Sequence, residues 1–247
     1  MRKFGLIGFP LSHSFSKKFF TEKFLNEHIT DCEYELFPIE QITLLPKLIA
    51  ENVELEGLNV TIPYKLPVQT YLNEIDEAAE QIGAVNCISI QRNNGKEILK
   101  GYNTDAYGFE ESLKPMLDER HTKALVFGDG GAAKAVKYVL NKLHIPFVVV
   151  TRTATSNSIL YDAVTPELLK DYTVLINTTP LGMSPDTETC PDIPYEALTE
   201  AHLAYDLVYN PEETTFLAKS AANGANVKNG LEMLYLQAER SWYIWNK

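Results

Sequence analysis

Strand-like runs and helix-like stripes alternate along the whole chain, the order expected of an α/β protein with parallel sheets. Residues 4–9 form a short apolar run of the strand type. Residues 16–27 follow, with Phe19, Phe20 and Phe24 near helical spacing. Residues 34–39 alternate as a strand does, and 42–50 read as a helix although Pro46 interrupts its donors. A strand over 58–62 stops at Pro63, and a helix over 73–82 stops at Gly83, a residue suited to a left-handed cap. Residues 84–91 and 97–102 flank Asn93-Asn94-Gly95, a hairpin-turn signature. Residues 105–117 read as a helix whose acidic start suits the helix dipole.

A second series begins near residue 123. A strand over 123–127 runs into a helix over 132–143, and 147–150 is a continuous β-branched and aromatic run, typical of a strand covered on both faces. Residues 174–177 and 203–208 read as further strands. The last helix, 231–245, carries Leu231, Leu234, Tyr235, Ala238, Trp242 and Trp245 at spacings of three and four, a stripe expected to face a core.

Composition narrows the classes of partner. The chain has 247 residues, enough for one large or two modest domains, and its 45% hydrophobic content is ordinary for a globular protein. Its formal net charge is −11 and its 22 basic residues form no long run, which argues against nucleic acid and anionic membrane as partners. Cys32, Cys87 and Cys190 are odd in number, widely spaced and without a CxxC, so a reduced, cytoplasmic setting is expected and no zinc pattern appears. The apolar run at the N-terminus reaches Pro10 too early for a signal sequence, and no stretch approaches the roughly 18 apolar residues of a membrane helix.

The most informative local motif is Gly128-Asp129-Gly130-Gly131-Ala132-Ala133, read against G-x-G-x-x-G/A. Alone the string is weak. Here an apolar strand enters it, an apolar-periodic helix leaves it and a second strand follows. Gly128 can make the tight turn, Gly130 lets backbone approach a pyrophosphate, and Ala133 lets the helix pack close to the sheet, with the helix N-terminus offering N–H groups to phosphate. The alternative is a Gly-rich turn without special function. An NAD site usually carries Asp or Glu about 20 residues beyond the glycines. Here the second strand ends Val150-Thr151-Arg152-Thr153, with no acid between residues 145 and 161. Arg152 can pair with a 2′-phosphate and Thr151 and Thr153 can donate hydroxyls, so NADP is the expected cofactor.

Four polar motifs precede this unit: Gly8-Phe9-Pro10-Leu11-Ser12-His13-Ser14-Phe15-Ser16, Gly57-Leu58-Asn59-Val60-Thr61-Ile62-Pro63-Tyr64-Lys65, Gly83-Ala84-Val85-Asn86-Cys87, and Gly101-Tyr102-Asn103-Thr104-Asp105-Ala106-Tyr107-Gly108. Singly they read as a capped helix start, a surface lysine, a strand start and a helix N-cap. Together, and followed by Asn177-Thr178-Thr179-Pro180-Leu181-Gly182-Met183, Asp206-Leu207-Val208-Tyr209-Asn210-Pro211 and Gly230-Leu231-Glu232-Met233-Leu234 with Gln237, they resemble the shikimate dehydrogenase family over nearly the whole chain.

The resemblance implies two α/β domains: a substrate-binding catalytic domain of residues 1–103 plus 229–247, and a Rossmann-like, doubly wound NADP-binding domain of residues 104–228. It implies NADPH-dependent, reversible reduction of 3-dehydroshikimate to shikimate, a step toward chorismate and the aromatic amino acids. Lys65 and Asp105 resemble the catalytic pair. Ser14 and Ser16 resemble the hydroxyls that bind the substrate carboxylate, Thr61, Asn86 and Gln237 its further hydrogen-bonding partners, and Tyr209 a residue near its ring. Gly128, Gly130, Gly131 and Ala132 match the phosphate loop, Thr151, Arg152 and Thr153 the 2′-phosphate clamp, and Thr178 and Gly230 further cofactor contacts. The residue types suit the chemistry: ketone reduction needs a hydride and a proton for the developing alkoxide. Lysine can donate that proton or act electrostatically, and the sequence leaves both open.

The chain departs from the family's pattern at several points. Lys17 stands in place of a proline, Tyr64 of a histidine, Cys87 of a threonine and Thr151 of an asparagine. The second basic residue common after Arg152 is missing. The expected partner is a small-molecule substrate, with the chain a monomer or homodimer. Two rivals remain: a quinate/shikimate dehydrogenase of broader range, and a catalytically silent nucleotide-sensing protein on the same fold, against which Lys65 and Asp105 argue.

Overall fold

The structure, a computed structural model, describes residues 1–11, 14–93, 96–153 and 155–247. The chain forms two compact units, residues 1–107 with 237–247, and residues 108–236.

In the first unit, β1 (Arg2–Gly8) lies between β2 (Cys32–Pro38) and β3 (Leu55–Val60), parallel to both. The sheet then turns antiparallel through β5 (Cys87–Asn93) and β6 (Lys96–Tyr102), with the short β4 (Glu74–Ile75) parallel at the edge. The sheet is therefore mixed, not purely parallel: β5 and β6 are joined too closely for a crossover, and only antiparallel strands allow that. The turn itself, Asn94-Gly95, lies outside the described residues, as do Ser12, His13 and Ala154.

Helices α1 (Phe15–Asn26), α2 (Leu45–Glu51) and α3 (Glu77–Ile82) connect these strands. Pro46 occupies the first turn of α2, where its missing N–H costs nothing, so it starts the helix that it was expected to weaken. The expected helix over 73–82 begins only after Asp76. The Asp76 carboxylate accepts the Ala78 N–H as an N-cap, while Glu74 and Ile75 pair with β6. Gly83 closes α3 at φ 69°, as a left-handed cap requires.

Among the described residues the unit holds two apolar clusters. One joins Ile7, Leu55, Leu58 and Val60 to Ile49, Val68 and Ile88. The other gathers Phe4, Phe20, Phe24, Tyr34 and Trp245 around stacked and edge-on rings, with Phe4 and Trp245 centroids 4.9 Å apart and Phe20 and Tyr34 4.5 Å apart.

In the second unit all strands run parallel, in the order β12-β11-β10-β7-β8-β9. Their ranges are β7 (Ala124–Phe127), β8 (Phe147–Thr151), β9 (Ser158–Leu160), β10 (Val174–Asn177), β11 (Leu203–Asp206) and β12 (Asn226–Lys228). Helices α5 (Gly131–Lys142), α6 (Pro166–Asp171) and α7 (Thr215–Ala222) alternate with them. The order reverses beside β7, the doubly wound arrangement whose strand ends open a ligand crevice at the switch point. Strands β7, β10 and β11 are buried at every position, as two-sided cover demands.

Helix α4 (Thr104–Leu113) ends earlier than its pattern suggests, because Pro115 lacks the N–H that would continue it, and a 3-10 turn follows. Helix α8 (Leu231–Trp245) has the expected bounds, but its stripe is not all core: Ala238 and Trp245 are buried, whereas Tyr235 is 45% exposed.

Candidate active site

The loop after β3 carries Lys65. Its backbone is held by Val85 N–H, which donates to the Lys65 carbonyl at 2.8 Å. Asp105 enters from the first turn of α4, started by Asn103, whose side chain accepts the Ala106 N–H at 3.0 Å. Lys65 Nζ donates to Asp105 Oδ2 at 2.7 Å, with both side chains partly shielded, 27% and 19% exposed. The other carboxylate oxygen accepts from Asn86 Nδ2 at 2.9 Å. Asn86 also donates to Thr104 Oγ1 at 3.0 Å and accepts the Thr104 N–H at 2.6 Å. Both its amide protons are thus committed within the protein, so Asn86 aims Asp105 in place of offering donors outward.

Behind this pair runs a buried polar chain. Thr104 Oγ1 lies 3.3 Å from Ser241 Oγ and donates to Gln237 Oε1 at 3.4 Å. Asn59 Nδ2 donates to Ser241 Oγ at 2.9 Å, and Tyr34 donates from its hydroxyl to Asn59 Oδ1 at 2.8 Å. Ser16 hydrogen-bonds the Tyr34 phenol, whose pKa is driven well above its ordinary value mainly by burial. Ser16, Gln237, Asn86, Asp105 and Lys65 are therefore joined through Tyr34, Asn59, Ser241 and Thr104, which sequence reasoning did not single out. Ser241 had a legible signal: it is a polar residue one turn beyond Gln237, on the face of α8 that buries Ala238 and Trp245.

Ser14 serves as the N-cap of α1, its hydroxyl accepting the Lys17 N–H at 3.3 Å. A proline at 17 would have no N–H to give, so this departure from the family pattern adds a bond. Among the described residues the Ser14 hydroxyl donates to no acceptor. Thr61 follows β3, its N–H bonded to the Ile7 carbonyl at 3.0 Å. Tyr64 is buried and donates to the Ile39 carbonyl at 2.6 Å, a structural use for the residue that replaces histidine. Burial pushes the Cys87 thiol up to about 12, which keeps it protonated and inert.

In the second unit, a cleft of about 640 Å³ opens at the ends of β7, β8 and β10. Gly128, Gly130, Thr151, Arg152, Thr153 and Thr178 all line it, as do Asp129, Tyr161 and Thr179. Gly128 has φ +94°, and a Cβ there would come within 2.8 Å of Thr179 Cγ2, so glycine is required. A Cβ on Gly130 or Gly131 would meet no protein atom within 4 Å. Packing therefore does not demand glycine at either position. The α5 N-terminus at Gly130 has no side-chain cap, leaving its N–H groups open. Gly131 and Ala132 form the exposed first turn of α5.

Arg152 is exposed and forms no ion pair among the described residues. Asp129, the carboxylate of the loop, is neutralised by Lys137. Thr151 Oγ1 lies 2.8 Å from the Thr153 carbonyl and 2.9 Å from Ser158 Oγ, so the stretch that lacks a second base is tied by hydroxyls. Thr178 donates to the Phe127 carbonyl at 2.7 Å, which fixes the cleft wall. Tyr209 and Gly230 belong to this unit but are not in the cleft wall. Tyr209 is 40% exposed on the segment after β11. A Cβ on Gly230 would strike the Leu207 carbonyl, which gives this glycine a packing reason of its own. Among the described residues no cluster of His, Cys, Asp or Glu could hold a metal ion, and no helix is long and apolar enough to cross a membrane.

Comparison with known proteins identifies the family. The shikimate dehydrogenase substrate binding domain family matches residues 6–88. The NADP(+) shikimate dehydrogenase of Caldanaerobacter subterraneus subsp. tengcongensis is 36% identical over 264 aligned residues, covering 98% of this chain and 90% of that protein. Among solved structures, a chorismate mutase/shikimate 5-dehydrogenase fusion protein from Clostridium acetobutylicum superposes with a TM-score of 0.86 at 36% identity, over 100% of this chain and 91% of that one. The shikimate 5-dehydrogenase of Thermus thermophilus, solved with NADP(H) and shikimate, superposes with a TM-score of 0.84 at 29% identity, over 99% and 93%. With the lysine–aspartate pair and the glycine-lined cleft in place, and with similarity spanning nearly the full length, the chain belongs to the shikimate dehydrogenase family.

Proposed function

We propose that this protein catalyses the reversible, NADPH-dependent reduction of 3-dehydroshikimate to shikimate on the route to chorismate and the aromatic amino acids. The observation that carries the reading is the 2.7 Å Lys65–Asp105 pair, held by Asn86, in the unit whose sequence matches the family's substrate-binding domain. Residues 1–107 with 237–247 then serve as the substrate-binding catalytic domain and 108–236 as the NADP-binding domain, a few residues from the bounds expected at 103/104 and 228/229. The free thiols and the absence of a membrane-crossing helix among the described residues are compatible with a cytoplasmic enzyme.

The cleft at the end of β7 fits a dinucleotide. Open α5 amides and two glycines with no packing reason to be glycine suit a pyrophosphate, and Arg152, without an ion pair among the described residues, suits a 2′-phosphate. When bound there, NADPH supplies the hydride that a ketone carbon accepts. The chain supplies the remainder. The Lys65 ammonium stabilises negative charge developing on the carbonyl oxygen and hands it a proton. Asp105 fixes the direction of Lys65, and Asn86 fixes Asp105. The Ser14 hydroxyl, already accepting from Lys17 N–H, offers its proton to a substrate carboxylate, and Ser16, whose own proton goes to the Tyr34 oxygen, lies beside it as a further proposed contact. Thr61 and Gln237 offer further hydrogen bonds to the ring substituents, and Tyr209 is the remaining proposed substrate contact.

The test is NADPH consumption on adding 3-dehydroshikimate, followed by the loss of the reduced cofactor's own absorbance. Wild type should turn over, and Lys65→Ala should lose activity by about 10²–10⁴ while still binding NADPH. A wild type that binds NADPH yet leaves 3-dehydroshikimate unreduced would refute the reading.

A further inference from the structure

We propose that Asp206 is a positioning residue for the cofactor cleft, its carboxylate binding the segment after β10 to the segment after β11. The inference rests on the reading of that cleft as the NADP(H) site. Asp206 and Asn177 are register partners at the ends of neighbouring strands, and both are fully buried. A polar pair at such a place costs free energy unless its bonding is complete. Here it is complete. Asp206 Oδ1 accepts from Asn177 Nδ2 and from the Val208 N–H, each at 3.0 Å, and Oδ2 accepts from Thr214 Oγ1 at 2.6 Å.

These bonds lead straight to the cleft wall. Asn177 Oδ1 accepts from the Thr179 N–H at 3.1 Å and from Thr179 Oγ1 at 2.6 Å, and Asn177 Nδ2 also reaches the Leu181 carbonyl at 3.3 Å. Thr179, Pro180 and Leu181 line the cleft. On the other side, Val208 and Thr214 bracket the loop that carries Tyr209, and Ser184 N–H donates to the Asn210 carbonyl at 3.2 Å. Thr214 also caps α7 through the Leu217 N–H. A single carboxylate thus receives donors from both segments. Asparagine in its place would keep the shape but set an NH₂ group against the Thr214 proton.

The experiment uses the full chain, with NADPH affinity measured by fluorescence titration beside steady-state kinetics and a thermal melt. Asp206→Asn should melt as a folded protein and bind NADPH about tenfold or more weakly, the loss expected for one misdirected buried bond to a charged group. Thr214→Val, which removes the hydroxyl donor, should weaken NADPH in the same way, and Thr214→Ser should restore it. The Thr214 pair carries the test if Asp206→Asn does not fold. Wild-type NADPH affinity in folded Asp206→Asn or in Thr214→Val overturns the brace alone. A wild type with no affinity for NADPH overturns the cofactor reading and the brace with it.

Discussion

Ser241 Oγ, on the last helix, accepts a 2.9 Å hydrogen bond from Asn59 Nδ2, on an inner strand of the first sheet, across 182 residues of sequence. The same hydroxyl lies 3.3 Å from Thr104, the neighbour of Asp105, so the C-terminal helix closes the polar chain behind the Lys65 pair. Ser241→Ala would leave buried groups short of a partner at a cost of about 1–3 kcal/mol. The expected result is a lower melting temperature together with a raised KM for 3-dehydroshikimate and unchanged NADPH affinity. An unchanged melt and KM would separate Ser241 from the site.

Asp105 receives Lys65 on one oxygen and Asn86 on the other. Asp105→Asn removes the charge that orients the ammonium while preserving size. The expected outcome is a fall in kcat of about a hundredfold, of the order that a positioned acid–base group contributes, with NADPH binding intact by titration.

Arg152 is the lone cation among the described residues of the cleft wall, and Ser158 and Thr151 tie the strand end where a second base would stand. Arg152→Ala should lower kcat/KM with NADPH by about 10–100-fold, the worth of hydrogen bonds to a charged group, and leave the value with NADH nearly unchanged. Equal losses with both cofactors would mean that Arg152 does not read the 2′-phosphate.

Gly57 faces the Trp245 ring so closely that a Cβ would overlap the indole, whose Nε1 donates to the Ile88 carbonyl at 2.9 Å. Gly57→Ala should destabilise the protein by about 1–3 kcal/mol through overpacking, measured by denaturant unfolding followed by tryptophan fluorescence.

Burial raises the Asp206 carboxyl from its ordinary 3.8 to about 6, against the pull of its Thr214, Val208 and Asn177 bonds. The folded state therefore holds this proton at pH values where the unfolded chain has lost it. The resulting stabilisation is complete below about 3.8 and gone above about 6. As pH falls from 7 to 4, wild type should gain up to about 3 kcal/mol of stability relative to Asp206→Asn, two pKa steps of about 1.4 each. Urea midpoints of the two proteins across that range check the sign. Comparing the pair cancels the opposing titration of Glu54 and Glu110, whose lysine partners hold them below the usual range.

Much of the fold was legible because its signals are local. The apolar runs at 124–127, 147–150 and 174–177 specify strands by their own composition, and Gly83 ends α3 by its own backbone freedom. The short β9 and β12 and the helices α6 and α7 escape such a reading, since three to eight residues hold too little periodicity to stand out. Asp76 and Pro115 moved helix ends through single hydrogen bonds, made or missing, that a hydrophobic pattern does not register.

The sequence by itself determined the two α/β series, the glycine turn before α5, the lack of an acid after β8, and the identities of Lys65 and Asp105. Each of these is a property of a short stretch of chain. Tertiary structure alone decided that Asn86 spends its amide on Asp105 and Thr104, that Gly230 is needed beneath Leu207, and that Ser241, Asn59 and Tyr34 stand behind the site. Those are pairings between residues far apart in the chain, and hydrogen bonds and close contacts act over about 3 Å of space, a distance that no spacing along a sequence encodes.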